Sequence, residues 1–178
     1  MKKISKIIIA LICVLSLSIL PASAIENDAD ISIGAENVSG QPNAFSDARI
    51  QVLDGSSRST SLPTAYWNLG SSNYQATLTQ VGTGRLYTNY YFKPNSSGEI
   101  YAYFDVTAYG AAVFRVGIYD MSANQSVASL EYDVNSLGKT GTVRFYNLST
   151  STNYAVYYQS VYDGFSVVYV SGSSTIYR

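Results

Sequence analysis

From residue 64 onward, short runs rich in Tyr, Val, Thr and Phe alternate with Gly, Asn and Ser clusters about every 8–12 residues. That rhythm predicts an all-β chain of antiparallel hairpins. The predicted strands are 64–69, 73–81, 85–92, 99–108, 112–120, 126–133, 141–147, 153–160 and 165–171. No mature segment sustains a helical period, so no helix is predicted outside the N-terminal apolar run. In "GEIYAYFDVT", Ile100, Ala102, Phe104 and Val106 share one face, and Tyr101, Tyr103, Asp105 and Thr107 share the other. In "AAVFRVGIYD", Phe114, Val116 and Ile118 oppose Val113, Arg115, Gly117 and Tyr119. "GTVRFYNL" sets Val143 and Phe145 against Arg144 and Tyr146. Strands with one apolar face each close a core between two sheets. The fold class expected is therefore all-β: a single antiparallel β-sandwich, jelly-roll-like, over 63–178.

"NYAVYYQSVYDGFSVVYV" (153–170) departs from simple alternation. Tyr154, Val156 and Tyr158 point one way, and Ala155, Tyr157 and Gln159 the other. Phe165, Val167 and Tyr169 oppose Ser166, Val168 and Val170. A strand apolar on both faces is central, or its outer face is covered by the N-terminal segment or by a second protein.

The N-terminus reads differently. Lys2, Lys3 and Lys6 precede an apolar run from Ile7 to Leu20, then Pro21 and Ala22-Ser23-Ala24. This is the anatomy of a secretory signal peptide over 1–24, too short to span a bilayer as an anchor. Its basic and apolar regions resemble those of bacterial exported proteins. Cys13 lies inside the run, away from a lipoprotein position. Residues 25–62 form a polar leader in which only Ile31/Ile33 and "RIQVL" (49–53) look strand-like, with room for one edge strand. The expected location is secreted, extracellular.

Cleavage would leave 154 of the 178 residues, without a cysteine, and would move the net charge from −1 to −4. Stability must then come from core and sheet, not from disulfides. Sparse charge of acidic balance speaks against nucleic acid and against electrostatic attachment to anionic membranes. No stable membrane insertion is expected.

Within residues 88–170 stand Pro94, Ser96 or Ser97, Gly98 and Tyr101, then Ile118-Tyr119-Asp120, then Leu148, Tyr154 and Val156. With these the segment resembles the pre-peptidase C-terminal-like domains, secreted bacterial jelly-roll sandwiches. Ser151 or Thr152 stands where the family has Gly. The resemblance covers about half of the mature chain and implies a non-catalytic accessory module, usually appended to a protease or glycosidase.

Histidine is absent, which removes Ser-His-Asp and Cys-His catalysis and imidazole zinc sites. No catalytic residue, metal or cofactor is assigned. Glu131 and Asp105, both mid-strand, are the better placed carboxylates, and nothing in their spacing brings them together. "DMSAN" (120–124) fits a hairpin loop better than a calcium loop, lacking the acid positions and the closing Glu. The seventeen tyrosines remain. Tyr101, Tyr103, Tyr119, Tyr146 and Tyr157, with Arg115 and Arg144, are the candidate ligand-binding residues. Two readings stand: cross-strand packing by a residue of high β-propensity, or rings that stack on sugars or anchor a protein. The function expected is non-covalent recognition of a polysaccharide or a surface protein. The alternatives are a self-assembling homo-oligomer of a matrix or surface layer, and a membrane-acting β-rich toxin.

Overall fold

The computed structural model describes residues 32–40, 50–54, 61–161 and 167–178, with backbone pairing alone for 50–54. The signal peptide expected over 1–24 and the predicted start of the last strand at 165 lie outside the described residues. The twelve strands are β1 (Gly34–Val38), β2 (Ile50–Asp54), β3 (Ala65–Tyr66), β4 (Tyr74–Val81), β5 (Leu86–Tyr87), β6 (Tyr90–Tyr91), β7 (Ile100–Ala108), β8 (Ala112–Asp120), β9 (Gln125–Val134), β10 (Lys139–Tyr146), β11 (Tyr154–Val161) and β12 (Val170–Tyr177). One sheet runs β1-β10-β7-β12-β4-β2 and the other β5-β11-β8-β9; β3 and β6 form a two-stranded ladder. Every pairing is antiparallel except β2–β4 and β3–β6. The expected β-sandwich is the architecture, and no helix occurs among the described residues.

The predicted faces account for the core. Ile100, Ala102, Phe104 and Val106 from the six-stranded sheet meet Phe114, Val116, Ile118, Val156 and Tyr158 from the four-stranded sheet, all buried. Phe104 packs edge-on to Phe114 at 5.5 Å between centroids, and Phe114 stacks on Tyr158 at 6.0 Å. Phe104 also tilts against Tyr132 at 4.6 Å, and burial pushes the Tyr132 phenol up to about 12. Tyr158 carries its hydroxyl into this core because a partner meets it there. It donates to Ser174 Oγ at 2.7 Å, and Ser174 donates to the Tyr103 carbonyl at 2.6 Å. One polar thread thus ties the two sheets through apolar packing. A buried tyrosine is stable when its hydroxyl is bonded.

Three predicted strands and the leader differ from expectation, and the strand expected at 64–69 is only Ala65–Tyr66. The strand expected at 85–92 is broken at Thr88. Its Oγ1 donates to the carbonyls of Tyr90 and Val156, and the chain leaves β11 to pair Tyr90–Tyr91 with β3. It rejoins β11 at Phe92, opposite Tyr154. The strand expected at 165–171 runs instead from Val170 to Tyr177. Its core side holds Val170, Ser174 and Ile176, and the bonded serine hides the apolar period. The leader contributes two edge strands where one was expected: β1 at one margin of the six-stranded sheet and β2 at the other. β1 is legible only in its partners, since "GAENV" pairs residue for residue with 142–146.

Candidate functional site

The seven predicted site residues fall on two opposite outer faces of the sandwich. Tyr101, Tyr103, Arg144 and Tyr146 lie on the outside of the six-stranded sheet. Arg115, Tyr119 and Tyr157 lie on the outside of the four-stranded sheet. They do not form one site.

On the four-stranded side two of the tyrosines are not a surface at all. Tyr157 is 1% exposed and Tyr119 8%, packed with Ala155 against Leu62, Tyr87 and Met121. Tyr157 lies across the backbone of its cross-strand partner Gly117, where any Cβ would fall inside the ring. Its hydroxyl bonds Ser126 Oγ at 2.8 Å, that of Tyr119 donates to Asn124 Oδ1 at 2.8 Å, and the Arg85 guanidinium lies 4.8 Å from the Tyr157 ring centre. This corrects their assignment as ligand contacts. They are a second, smaller core, and its cover comes in part from Leu62 at the end of the leader. Arg115 is also committed. It donates through Nε to Glu131 at 3.0 Å and through Nη1 to Gln159 at 3.0 Å.

The six-stranded face is different. Pairing across the ladder sets Glu36, Arg144, Tyr101 and Tyr177 in one row over β1, β10, β7 and β12. The next row holds Thr142, Tyr103, Thr175 and Gln75. All four tyrosines of this face are half-buried at the base and open above. Tyr101 and Tyr177 stack with centroids 5.2 Å apart and planes 17° apart, and Arg144 lies 5.5 Å from the centre of the Tyr146 ring. Arg144 joins two carboxylates, Glu36 on the edge strand and Glu99 at the start of β7. Glu99 also accepts from the Asn95 amide at 3.2 Å and the Tyr101 hydroxyl at 3.1 Å. The network fixes Tyr101 at its tip as well as at its stack. Thr142 is buried beside it and donates to the Gly40 carbonyl at 2.6 Å. Three members were absent from the predicted set. Glu36 lies in the polar leader, Tyr177 beyond the expected end of the last strand, and Glu99 just ahead of the alternating tyrosines. The two-residue alternation of "STIY" was the signal that marked Tyr177.

The Arg144 hydrogen bond, then that from Asn95, holds the Glu99 carboxyl below the usual carboxylate range. A carboxyl whose folded pKa is depressed stabilises the fold at pH values above its unfolded pKa, about 4.3, and loses that contribution as pH falls through the folded value. The urea midpoint of the protein is therefore expected to fall in acid below about pH 4, and Glu99→Gln to fall less steeply there. Parallel curves for the two proteins between neutral pH and acid would remove Glu99 from this role.

The two better placed carboxylates stay apart, as their spacing gave no reason to join them. Asp105 is exposed on the outer face of β7 and Glu131 on the outer face of β9, in different sheets. "DMSAN" is a hairpin: Asp120 Oδ1 accepts from the backbone N–H groups of Ser122 and Ala123 at 2.8 Å each. Among the described residues no cluster of three acids gathers to hold a metal ion.

No family model matches this chain, and no curated protein matches it. Among solved structures the chain is similar to one titled BiXyn10A CBM1 APO, at 13% identity and a TM-score of 0.38, over 56% of this chain and 70% of that one.

Proposed function

We propose that this chain is an exported, non-catalytic recognition module that takes a polysaccharide on the outer face of its six-stranded sheet. The observation that carries the reading is the tyrosine cluster there: Tyr101, Tyr177, Tyr103 and Tyr146 stand half-open on one sheet face, Tyr101 fixed by its stack on Tyr177 and its bond to Glu99, and Tyr146 lying beside Arg144. Apolar C–H faces of sugar rings match such π surfaces. The carboxylates and guanidinium between the rings offer acceptors and donors to sugar hydroxyls. Rigid rings lose little entropy on contact. Non-catalytic is the better reading because Arg144 holds the Glu99 carboxyl below the usual carboxylate range, whereas glycoside hydrolysis needs one carboxyl kept protonated.

The test is affinity electrophoresis through gels containing cell-wall and plant polysaccharides. Tyr101→Ala/Tyr103→Ala is expected to weaken retardation by roughly tenfold, two aromatic contacts being worth about 1–3 kcal/mol together. Tyr66→Ala, on the separate two-stranded ladder, is expected to be retarded like the parent. A parent that no polysaccharide retards would turn the same face into a protein contact and overturn the glycan reading.

A further inference from the structure

The two ends of the sandwich are built from different residues. At one end lie the connections 67–73, 92–99, 120–124 and 147–153, rich in Asn and Ser and carrying Asp120, Glu99 and Lys93. At the other end lie 82–85, 109–111, 135–138 and the described part of the β11–β12 connection, 167–169. These four sit together. The Ala108 N–H donates to the Asn135 carbonyl at 3.1 Å, a Cβ at Gly110 would lie 3.9 Å from Val168, and one at Gly82 would lie 3.1 Å from the Tyr169 ring.

Five large apolar side chains are exposed among the described residues, and four of them crown this end: Tyr109, Leu137, Val167 and Tyr169. Leu137 is 92% exposed and Tyr109 fully so. Both stand on short connections that cross from one sheet to the other, touching almost nothing of their own protein. Among the described residues of these connections there is no carboxylate, and Arg85 is the one charge. Water alone does not favour four large apolar side chains collected at one end.

The shape selects the occupant. The side chains project as separate knobs, whereas a protein partner engages such anchors through pockets that match them one by one. A fluid interface accepts projecting knobs without matching pockets, and tyrosine is the residue that favours the headgroup level, with its ring in the apolar zone and its hydroxyl in the wet one.

We infer that this loop end is a lipid-facing surface: Tyr109, Leu137 and Tyr169 enter the headgroup–acyl boundary of a bilayer while both sheets stay in water. The attachment is peripheral and apolar. It needs no anionic lipid, and no helix among the described residues is long and apolar enough to cross a membrane. The tyrosine cluster lies on a sheet face rather than at this end, so both surfaces are free to work at once.

The experiment is flotation with phosphatidylcholine vesicles. It uses the chain from Ile25 onward, which holds every described strand and the whole core without the apolar run at 7–20. The parent is expected to float with the vesicles, and to do so equally at about 0.5 M salt, where attraction between exposed charges is screened. Tyr109→Ser/Leu137→Ser is expected to lower the bound fraction by roughly tenfold, with an unchanged thermal midpoint because neither side chain is packed. Tyr101→Ala/Tyr103→Ala is expected to float like the parent, which separates this surface from the glycan face. A parent that stays at the bottom of the gradient overturns the inference, as does a double variant that floats undiminished. Sedimentation showing a dimer that Tyr109→Ser/Leu137→Ser dissolves would assign the crown to a second copy of the chain instead.

Discussion

Gly172→Ala is expected to lower the thermal midpoint by roughly 10 °C, from a loss of about 3–5 kcal/mol spread over a unit of this size. β12 lies between β7 and β4 in the middle of the six-stranded sheet, and its register slips between Val170 and Gly172. The slack is taken up opposite, at Gln80 of β4, which sits at φ 52° and donates its N–H to Ser171 Oγ at 3.0 Å. Gly172 itself is at φ 154°. A Cβ there would overlap the Asp105 carbonyl oxygen and lie 2.7 Å from Val106 Cα. Both are backbone atoms of a central strand, so no rotamer change relieves the clash. The backbone conformation and the overlap act together, which is why the effect exceeds that of an ordinary substitution. Gly84→Ala, with nothing within 4 Å, is the control and is expected to change stability by no more than about 0.5 kcal/mol. Equal midpoints for the two variants would mean that β12 does not approach β7 this closely.

Tyr157→Ala is the second large effect, about 3–4 kcal/mol by urea denaturation, the range for a buried aromatic cut to alanine. Its ring fills the space above Gly117, meets Tyr87 at 5.9 Å and lies beneath Arg85. Tyr157→Phe keeps the ring and forgoes the Ser126 bond, for about 1 kcal/mol. The contrast with Tyr101→Ala is diagnostic. A half-open ring on the other sheet should give up less stability and, on the proposed function, more binding. A Tyr157→Ala protein with an unmoved urea midpoint would return that ring to the surface.

Tyr101 and Tyr157 show how far the sequence goes. Both alternate with core residues, so both were assigned to outer faces, and both are on them. What alternation cannot convey is whether a second layer covers a given face. On the four-stranded side the cover is made by Leu62 from the end of the leader, by Tyr87 of the neighbouring strand β5 and by Met121 of the β8–β9 turn. The core faces of β7, β8 and β10 were fully legible, because an uninterrupted two-residue period over eight or nine residues has one physical reading. β12 was not, because Ser174 occupies a core position and only its bond to Tyr158 makes that tolerable. Glu36 was not, because β1 gives the core little more than Ala35 and holds its place chiefly by pairing with β10. The site was legible by halves: Tyr101, Tyr103, Arg144 and Tyr146 from the pattern, and Tyr177, Glu36 and Glu99 only from the neighbours that cross-strand register gives them.

The place of β12 also decides when this molecule can exist. Residues 170–177 are the latest of the described strands to leave a ribosome, yet they sit at the centre of the larger sheet. Before they arrive, β4 with β2 and β7 with β10 and β1 are two ribbons with facing edges and nothing between them. Such a chain has no stopping point at which part of the sheet is finished. The larger sheet is complete only once β12 lies between β7 and β4. A polypeptide that must pass end-first through a narrow channel needs the same property, since what has not closed can still be threaded.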